Sequence, residues 1–314
     1  IHGLHCPRNT PNIARMLWLH HHYRYFLKHI RDDLLCLVQM AIGCSQSISD
    51  SSMQPMASIA LKAARKAGDF ILRAMDRPDH LKVEAKARND FVSNVDKTSE
   101  QIILEQIRET YPDHSILAEE SGKETKTGEF TWIIDPLDGT LNFLQGFPHF
   151  SISIAVMKDK TLEHGVIFDP LRAEEFVASR GYGAQLNGKR IRVSSRSKLT
   201  ECVLGTGIPP GSISSRLDEY MRGLRQLTGK CRGIRRAGSA ALDLAYVAAG
   251  RTDGFWEMGL SQWDTAAGIV LVREAGGFIS DLEGGETYWD SGDICAANPK
   301  AWREMIKELR PSPS

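Results

Sequence analysis

The sequence predicts a mixed, layered α/β sandwich, and three observations carry that prediction. Short apolar runs of strand length recur between stretches whose apolar residues fall at helical spacing. Few of these alternations make complete strand–helix–strand units, so a simple doubly wound parallel sheet fits less well. The composition is that of a folded globular chain. Of 314 residues, 42% are hydrophobic and 25% charged, which excludes a disordered, collagen-like or rod-like architecture. This length suits one large domain or two of ordinary size.

Residues 1–52 read differently from the rest. They hold six of the ten histidines and three of the six cysteines. The run His20-His21-His22 lacks the spaced acidic or thiol partners that a metal site needs, so it reads as incidental. The longest apolar stretch, Leu34 to Ile42, is about half of the roughly twenty residues that span a bilayer. Ala41-Ile42-Gly43-Cys44 faintly resembles a lipoprotein cleavage site, but Asp32 and Asp33 stand where an export signal carries positive charge. Residues 1–52 are therefore expected to be a non-native or disordered leader, with Met53 as a natural start.

From Met56, apolar residues at 59, 60, 63, 67, 70, 71 and 74 predict a helix that Pro78 ends. A second helix is expected over Lys97–Thr110, stopped by Tyr111-Pro112-Asp113. Strands are expected at 115–118, 131–134, 151–157 and 165–168, and Asn187-Gly188 is a hairpin turn signal. A polar patch at Ser194–Ser197 suggests a boundary. It separates an N-terminal α+β half, 53–196, from a C-terminal α/β half, 197–310, with a tail at 311–314. In the second half a strand at 202–206 precedes a helix over 215–227. Ser239 caps a helix over 240–249 that Gly250 stops. A strand at 253–257, a helix from about Asp264 to Gly276-Gly277, and a last helix opened by Asn298-Pro299 complete the order.

Charge and cysteine content narrow the function classes. Thirty-nine basic residues balance thirty-nine acidic ones, so the global basic excess of a dedicated nucleic-acid binder is missing. The local run Lys230, Arg232, Arg235, Arg236 reads as a solvated face or as a patch for an acidic partner. No CxxC pair occurs, which argues against a disulfide scaffold or a zinc site and suits reduced thiols in a cytosol. Cys202, Cys231 and Cys295 read as small apolar fillers, and His149 and His164 as packed or solvated.

The chemistry concentrates in Trp132-Ile-Ile-Asp135-Pro-Leu-Asp138-Gly-Thr140, where an apolar strand runs into two carboxylates three residues apart. Pro136 stiffens the expected turn between them, and a helix is expected to start at Gly139–Thr140. Backbone N–H groups at such a start suit a phosphate. Carboxylates beside a phosphate repel it unless hard cations such as Mg²⁺ intervene. The plainer alternative is one capping and one solvated aspartate. Glu119-Glu120-Ser121 also follows an apolar strand, and Trp263-Asp264 puts an acid at the start of an apolar helix, where an N-cap is the plain alternative.

Together these strings resemble the inositol monophosphatase family. Asp135-Pro-Leu-Asp-Gly-Thr140, with the preceding Trp132, is similar to the first family signature. Trp263-Asp264 with Ala266-Ala267-Gly268 is similar to the second, and Glu119-Glu120-Ser121 lies the expected distance upstream. Lys86, Asp90 and Asp96 match a further element, and Phe255-Trp-Glu257-Met-Gly259 the substrate-side segment. The resemblance covers about 53–309. It implies the layered α-β-α-β-α sandwich of the sugar phosphatase superfamily and a cytoplasmic, lithium-sensitive homodimer. It also implies a Mg²⁺-dependent phosphomonoesterase acting on myo-inositol monophosphates, with two to three Mg²⁺ per subunit.

The resemblance also implies residue roles. Glu119, Asp135 and the Leu137 carbonyl would hold one Mg²⁺, and Asp135, Asp138 and Asp264 a second. A third, weaker ion would sit on Glu119. Thr140, paired with Asp96, and Glu119 would orient and deprotonate water, with no covalent phosphoenzyme. Gly139 and Thr140 would hold the phosphate. Glu257 with Gly238, Ser239 and Ala240 would contact the sugar, with Asp138 and Asp264 also facing the substrate. Lys86, Asp90 and Glu120 would be supports. Sister substrates remain open: fructose 1,6-bisphosphate, a nucleotide 3′-phosphate or histidinol phosphate. Some bacterial members are associated with transcription antitermination on ribosomal RNA operons, which implies RNA polymerase or Nus factors as alternative partners. No membrane association is expected.

Overall fold

A computed structural model describes residues 53–76, 83–87, 90–208 and 213–310. The expectations for residues 1–52, for Pro78 and for the tail 311–314 lie outside the described residues. So do the side chains of Lys86 and Asp90, which sit on the hairpin of β1 (Val83–Ala87) and β2 (Asp90–Ser93). Among the described residues no helix is long and apolar enough to cross a membrane.

Helix α1 (Pro55–Met75) starts with proline in its first turn, where a missing N–H costs nothing. Its buried stripe is mostly alanine, which allows close approach to a sheet. Helix α2 (Asn94–Thr110) begins three residues earlier than its apolar pattern predicts. Ser93 and Asp96 form a reciprocal capping box there, worth about 1 kcal/mol. Both helices cover one face of an eight-stranded sheet.

That sheet contains β3 (Ser115–Ala118), β4 (Gly122–Glu124), β5 (Phe130–Asp138), β6 (Ser151–Lys158), β7 (Thr161–Asp169), β8 (Glu174–Ser179), β9 (Gly183–Leu186) and β10 (Lys189–Ile191). The spatial order is β10-β9-β8-β7-β6-β5-β3-β4, and only β3 and β5 run parallel. Asn187 and Gly188 both take positive φ (49° and 73°) between the paired Leu186 and Lys189, as a two-residue primed turn requires.

A second sheet of five strands is ordered β12-β11-β13-β15-β14. Its members are β11 (Val203–Thr206), β12 (Gly233–Arg235), β13 (Gly254–Glu257), β14 (Phe278–Ser280) and β15 (Ile294–Ala297). The basic run at 230–236 thus includes an edge strand. There Lys230 pairs with Glu308, while Arg232, Arg235 and Arg236 stay exposed.

The period-two alternation of the strands separates three cores and fixes the layers. Trp132, Ile134, Ile152, Ile154, Val166 and Phe168 point to α1 and α2. Their neighbours Ile133, Ala155 and Ile167 point to the opposite face. There they meet α5 (Ala240–Ala248) and α6 (Gln262–Glu274), which also cover Phe255, Ile294 and Ala296 of the second sheet. The far face of that sheet, with Leu204, Trp256, Cys295 and Ala297, packs on α4 (Ile213–Thr228) and α8 (Pro299–Leu309). The architecture is an α-β-α-β-α sandwich. Cys202 and Cys295 are buried fillers; burial pushes the Cys202 thiol up to about 12. His149 stacks edge-on against Tyr246, and His164 Nδ1 meets Ser179 Oγ at 2.9 Å.

Candidate active site

The expected turn at Pro136 is not a turn. Strand β5 runs on through Asp138, and its pairing with β6 shifts between Asp135↔Ser153 and Asp138↔Ser151. Three steps on β5 face two on β6, so one extra residue is accommodated in a bulge. Bulges bend a strand and re-aim its side chains. Proline fits here because it has no N–H to leave unpaired. Its carbonyl accepts from Ser99 Oγ at 2.8 Å, and Leu137 N donates to Asp135 Oδ1 at 2.9 Å.

Each acid is held by a different element. Asp135 is only 2% exposed. Asp138 uses Oδ2 to accept from Ser239 Oγ (2.5 Å) and Ala241 N (2.8 Å), tying the bulge to the start of α5. Ser239, expected at the substrate, therefore has its side chain committed to Asp138 and to the helix cap, where Leu242 N donates to it. Asp264 is not the N-cap of its helix. Ser261 is, and Asp264 stands three residues on, accepting from Ser261 N at 2.7 Å in a capping box. Glu119 follows β3, and its N donates to Ile134 O (3.1 Å). The next two amides, Glu120 N and Ser121 N, donate to Glu100 on α2. The sequence reading did not include Glu100, although its position four residues after Asp96 puts both on one helix face.

Gly139 (φ 96°) turns the chain into a five-residue helix, α3 (Thr140–Leu144). A side chain there would also crowd the carbonyls of His149 and Gly238. Asn142 Nδ2 donates to His149 O (2.7 Å) and Ala237 O (2.9 Å), joining this corner to the segment before Ser239 and Ala240. Thr140 Oγ1 lies 2.7 Å from Asp96 Oδ1 and 3.1 Å from Leu137 O. Asp96 is fully buried, and its other oxygen accepts from Ser93 N and Ser93 Oγ.

The electrostatics fit a hard cation. Burial, then Glu119, Asp138 and Asp264, push the Asp135 carboxyl well above the usual carboxylate range. Burial, then Asp138, do the same to Asp264. Burial pushes Asp138 up to about 6, against the Ser239 and Ala241 hydrogen bonds. Among the described residues no Lys or Arg ion pair reaches these three aspartates. Nor do three His, Cys, Asp or Glu groups there close on one point as a finished coordination sphere. What the acids share is mutual repulsion in a buried setting and an all-oxygen donor set, the chemistry that Mg²⁺ takes.

Glu257, 6% exposed at the end of β13, lies within the electrostatic reach of Asp138 and Asp264. A Cβ on Gly207 would overlap the Glu257 carboxyl group, so only glycine leaves room for it. Burial and then Asp243, Asp264 and Asp138 push Glu257 well above its ordinary value, and Arg236 opposes them. The sequence reading missed Gly207 and Asp243. The signal for Asp243 was a single acid inside the apolar helix Ala240-Ala-Leu-Asp-Leu-Ala.

Comparison with known proteins gives the family. The sequence profile described as the inositol monophosphatase family matches residues 52–313. The chain belongs to the inositol monophosphatase family. Among its relatives, the Nus factor SuhB of Pseudomonas aeruginosa is 50% identical over 263 residues, 82% of this chain and 97% of that protein. The crystal structure of the extragenic suppressor protein SuhB from Bartonella henselae is 41% identical, with a TM-score of 0.80. It covers 83% of this chain and 100% of its own. The inositol monophosphatase of Anabaena (Nostoc) sp. PCC 7120 is 38% identical with a TM-score of 0.73, over 82% of this chain and 96% of its own.

Burial holds the Asp138 carboxyl up at about 6, above its ordinary value of 3.8. Between those values the folded state keeps a proton that the unfolded state releases, so stability falls as pH rises through the window. Asp135 and Asp264 act in the same direction. With a chelator present, the Tm should fall between pH 4 and pH 6. Excess Mg²⁺ should raise it more at pH 7.5 than at pH 5, where protons compete with the cation. Thermal unfolding at the two pH values, with and without Mg²⁺, checks this; an equal gain at both would count against the site. Gly207→Ala should displace the Glu257 carboxylate and raise KM for an inositol phosphate by about 10-fold or more. Steady-state kinetics reads it, and an unchanged KM would remove Glu257 from substrate binding.

Proposed function

We propose that this chain is a Mg²⁺-dependent phosphomonoesterase that hydrolyses myo-inositol monophosphates to inositol and phosphate. The observation that carries the reading is the grouping of Glu119, Asp135, Asp138 and Asp264 around a bulged strand end, beside the Thr140–Asp96 hydrogen bond. Glu119, Asp135, the Leu137 carbonyl, Asp138 and Asp264 would hold two to three Mg²⁺, with Asp135 shared. Bound there, the cations would neutralise phosphoryl charge and acidify water.

The remaining steps belong to the chain's own side chains. Thr140 has one hydroxyl proton and two acceptors in reach. Donation to Asp96 leaves the Thr140 oxygen free to accept from an attacking water. Asp96 is held for this by Ser93, so the proton path has a fixed direction. Glu119 is the second acceptor for that water. The amides of Gly139 and Thr140 would bind the phosphate, and Glu257 with the Gly238–Ala240 backbone would orient the alcohol. Lys86, Asp90 and Glu120 would act as supports. The 53–196 half carries most of the metal ligands, and the 197–310 half adds Asp264 and the alcohol side. A cytoplasmic, lithium-sensitive homodimer is part of the same proposal.

The test is a substrate panel of inositol 1-phosphate, fructose 1,6-bisphosphate and adenosine 3′,5′-bisphosphate. The highest kcat/KM should belong to inositol 1-phosphate, and a chelator should abolish it. A preference for either bisphosphate would overturn the substrate, and activity that survives chelation would overturn the metal. A second reading, a transcription antitermination factor that binds RNA polymerase or Nus proteins, is favoured by the 50% identity to a protein named Nus factor SuhB. Asp264→Asn separates the two: it should lose hydrolysis, while on the second reading capture of RNA polymerase or Nus factors should persist.

A further inference from the structure

Two buried carboxylates, Asp243 and Glu257, stand side by side on the alcohol side of Asp138, 3% and 6% exposed. Asp243 projects from α5 over β11, where a Cβ on Gly205 would lie 3.1 Å from its Oδ1. Among the described residues neither carboxylate accepts a hydrogen bond. Each keeps a small exposed fraction, and none of their oxygens is a sealed-off buried atom. Burying an acid without a donor costs free energy. Nothing in the fold explains that cost: among the described residues Asp243 caps no helix and closes no ion pair.

We infer that Asp243 is a specificity-determining residue. Together with Glu257 it selects a leaving alcohol rich in hydroxyl donors and rejects one that carries a second phosphate. Ionised carboxylates only accept hydrogen bonds, so vicinal hydroxyls satisfy them and a phosphate repels them. The exposed Arg236 attracts both acids. One solvated guanidinium against two buried carboxylates leaves the site anionic. This inference rests on the phosphomonoesterase reading above and deepens it, since it assigns the discrimination between inositol phosphates and bisphosphates to a residue in α5.

The test compares kcat and KM for inositol 1-phosphate and fructose 1,6-bisphosphate in the unaltered protein, Asp243→Asn and Asp243→Ala. Mg²⁺ half-saturation and thermal unfolding are followed alongside. The unaltered protein should prefer inositol 1-phosphate by at least about 10-fold. Each variant should narrow that preference by about 10–100-fold, mainly through KM, the loss expected for a hydrogen bond to a charged group. Mg²⁺ half-saturation should move less than about twofold. The inference is overturned if folded variants keep the preference, or if Mg²⁺ half-saturation moves as far as kcat/KM, which would make Asp243 a support of the cation site. A native preference for the bisphosphate overturns it without any variant. An unaltered protein that hydrolyses neither substrate overturns the phosphomonoesterase reading itself, so the two failures are distinguishable.

Discussion

Asp135→Asn should lower kcat by about 10³-fold or more and leave it low at any Mg²⁺ concentration. The substitution keeps the size of the side chain and removes one charge. Asp135 is the acid on which the repulsion of Glu119, Asp138 and Asp264 converges, so a cation shared between them loses most there. Several kcal/mol of charge stabilisation is at stake, and each 1.36 kcal/mol is tenfold in rate. Asp264→Asn removes a ligand from the second proposed cation only. Excess Mg²⁺ should recover part of its activity, because mass action refills a weakened site. Stability should move the other way. Without a divalent cation, Asp135→Asn relieves a buried, repelled charge and should raise Tm, while the Tm gain from Mg²⁺ shrinks. Calorimetric Mg²⁺ titration, rate titration and thermal unfolding on both variants read all of this. Loss of both sites in Asp264→Asn but only one in Asp135→Asn would reverse the assignment. Unchanged Mg²⁺ dependence in both would leave the acids structural.

Thr140→Ala should lower kcat by about 10²–10⁴-fold, the usual cost of a missing positioned proton acceptor. KM and Mg²⁺ dependence should change little. The hydroxyl sits between Asp96 and the Leu137 carbonyl, and neither of those is removed. Thr140→Ser restores the hydroxyl and should recover most of the rate. That recovery separates proton transfer from packing, since serine also lacks the methyl group. A full rate in Thr140→Ala would take Thr140 out of the mechanism. Failure of serine to rescue would make its role steric.

The layers and the acids were legible in the sequence to different degrees. Trp132–Thr140 and Trp263–Gly268 are local strings, and they pointed to Asp135, Asp138 and Asp264 before any coordinates. Helices α1, α2, α5 and α8 announced themselves through apolar spacing, Ser239, or Asn298-Pro299. Strands β4, β12 and β14 did not, because three residues are too short to show alternation. β8, which opens with Glu174 and Glu175, is not among the expected strands. In the folded chain Glu175 pairs with Arg65 and Glu174 with Arg251.

The order of elements, the capped helix starts and the identity of the acids follow from neighbours within a few residues, and local chemistry was enough to read them. The bulge at Asp135–Asp138 could not be read that way, because it exists only in register against Ser151–Ser153 of another strand. The commitment of Ser239 to Asp138 joins residues 101 apart in the chain. The room that Gly207 leaves for Glu257 spans fifty positions, and Asp243 of α5 comes to lie against Gly205 of β11, thirty-eight positions earlier. The sequence determined which charged groups the protein owns. The tertiary structure decided which of them are buried together, because charge repulsion and desolvation depend on distance through space and not along the chain.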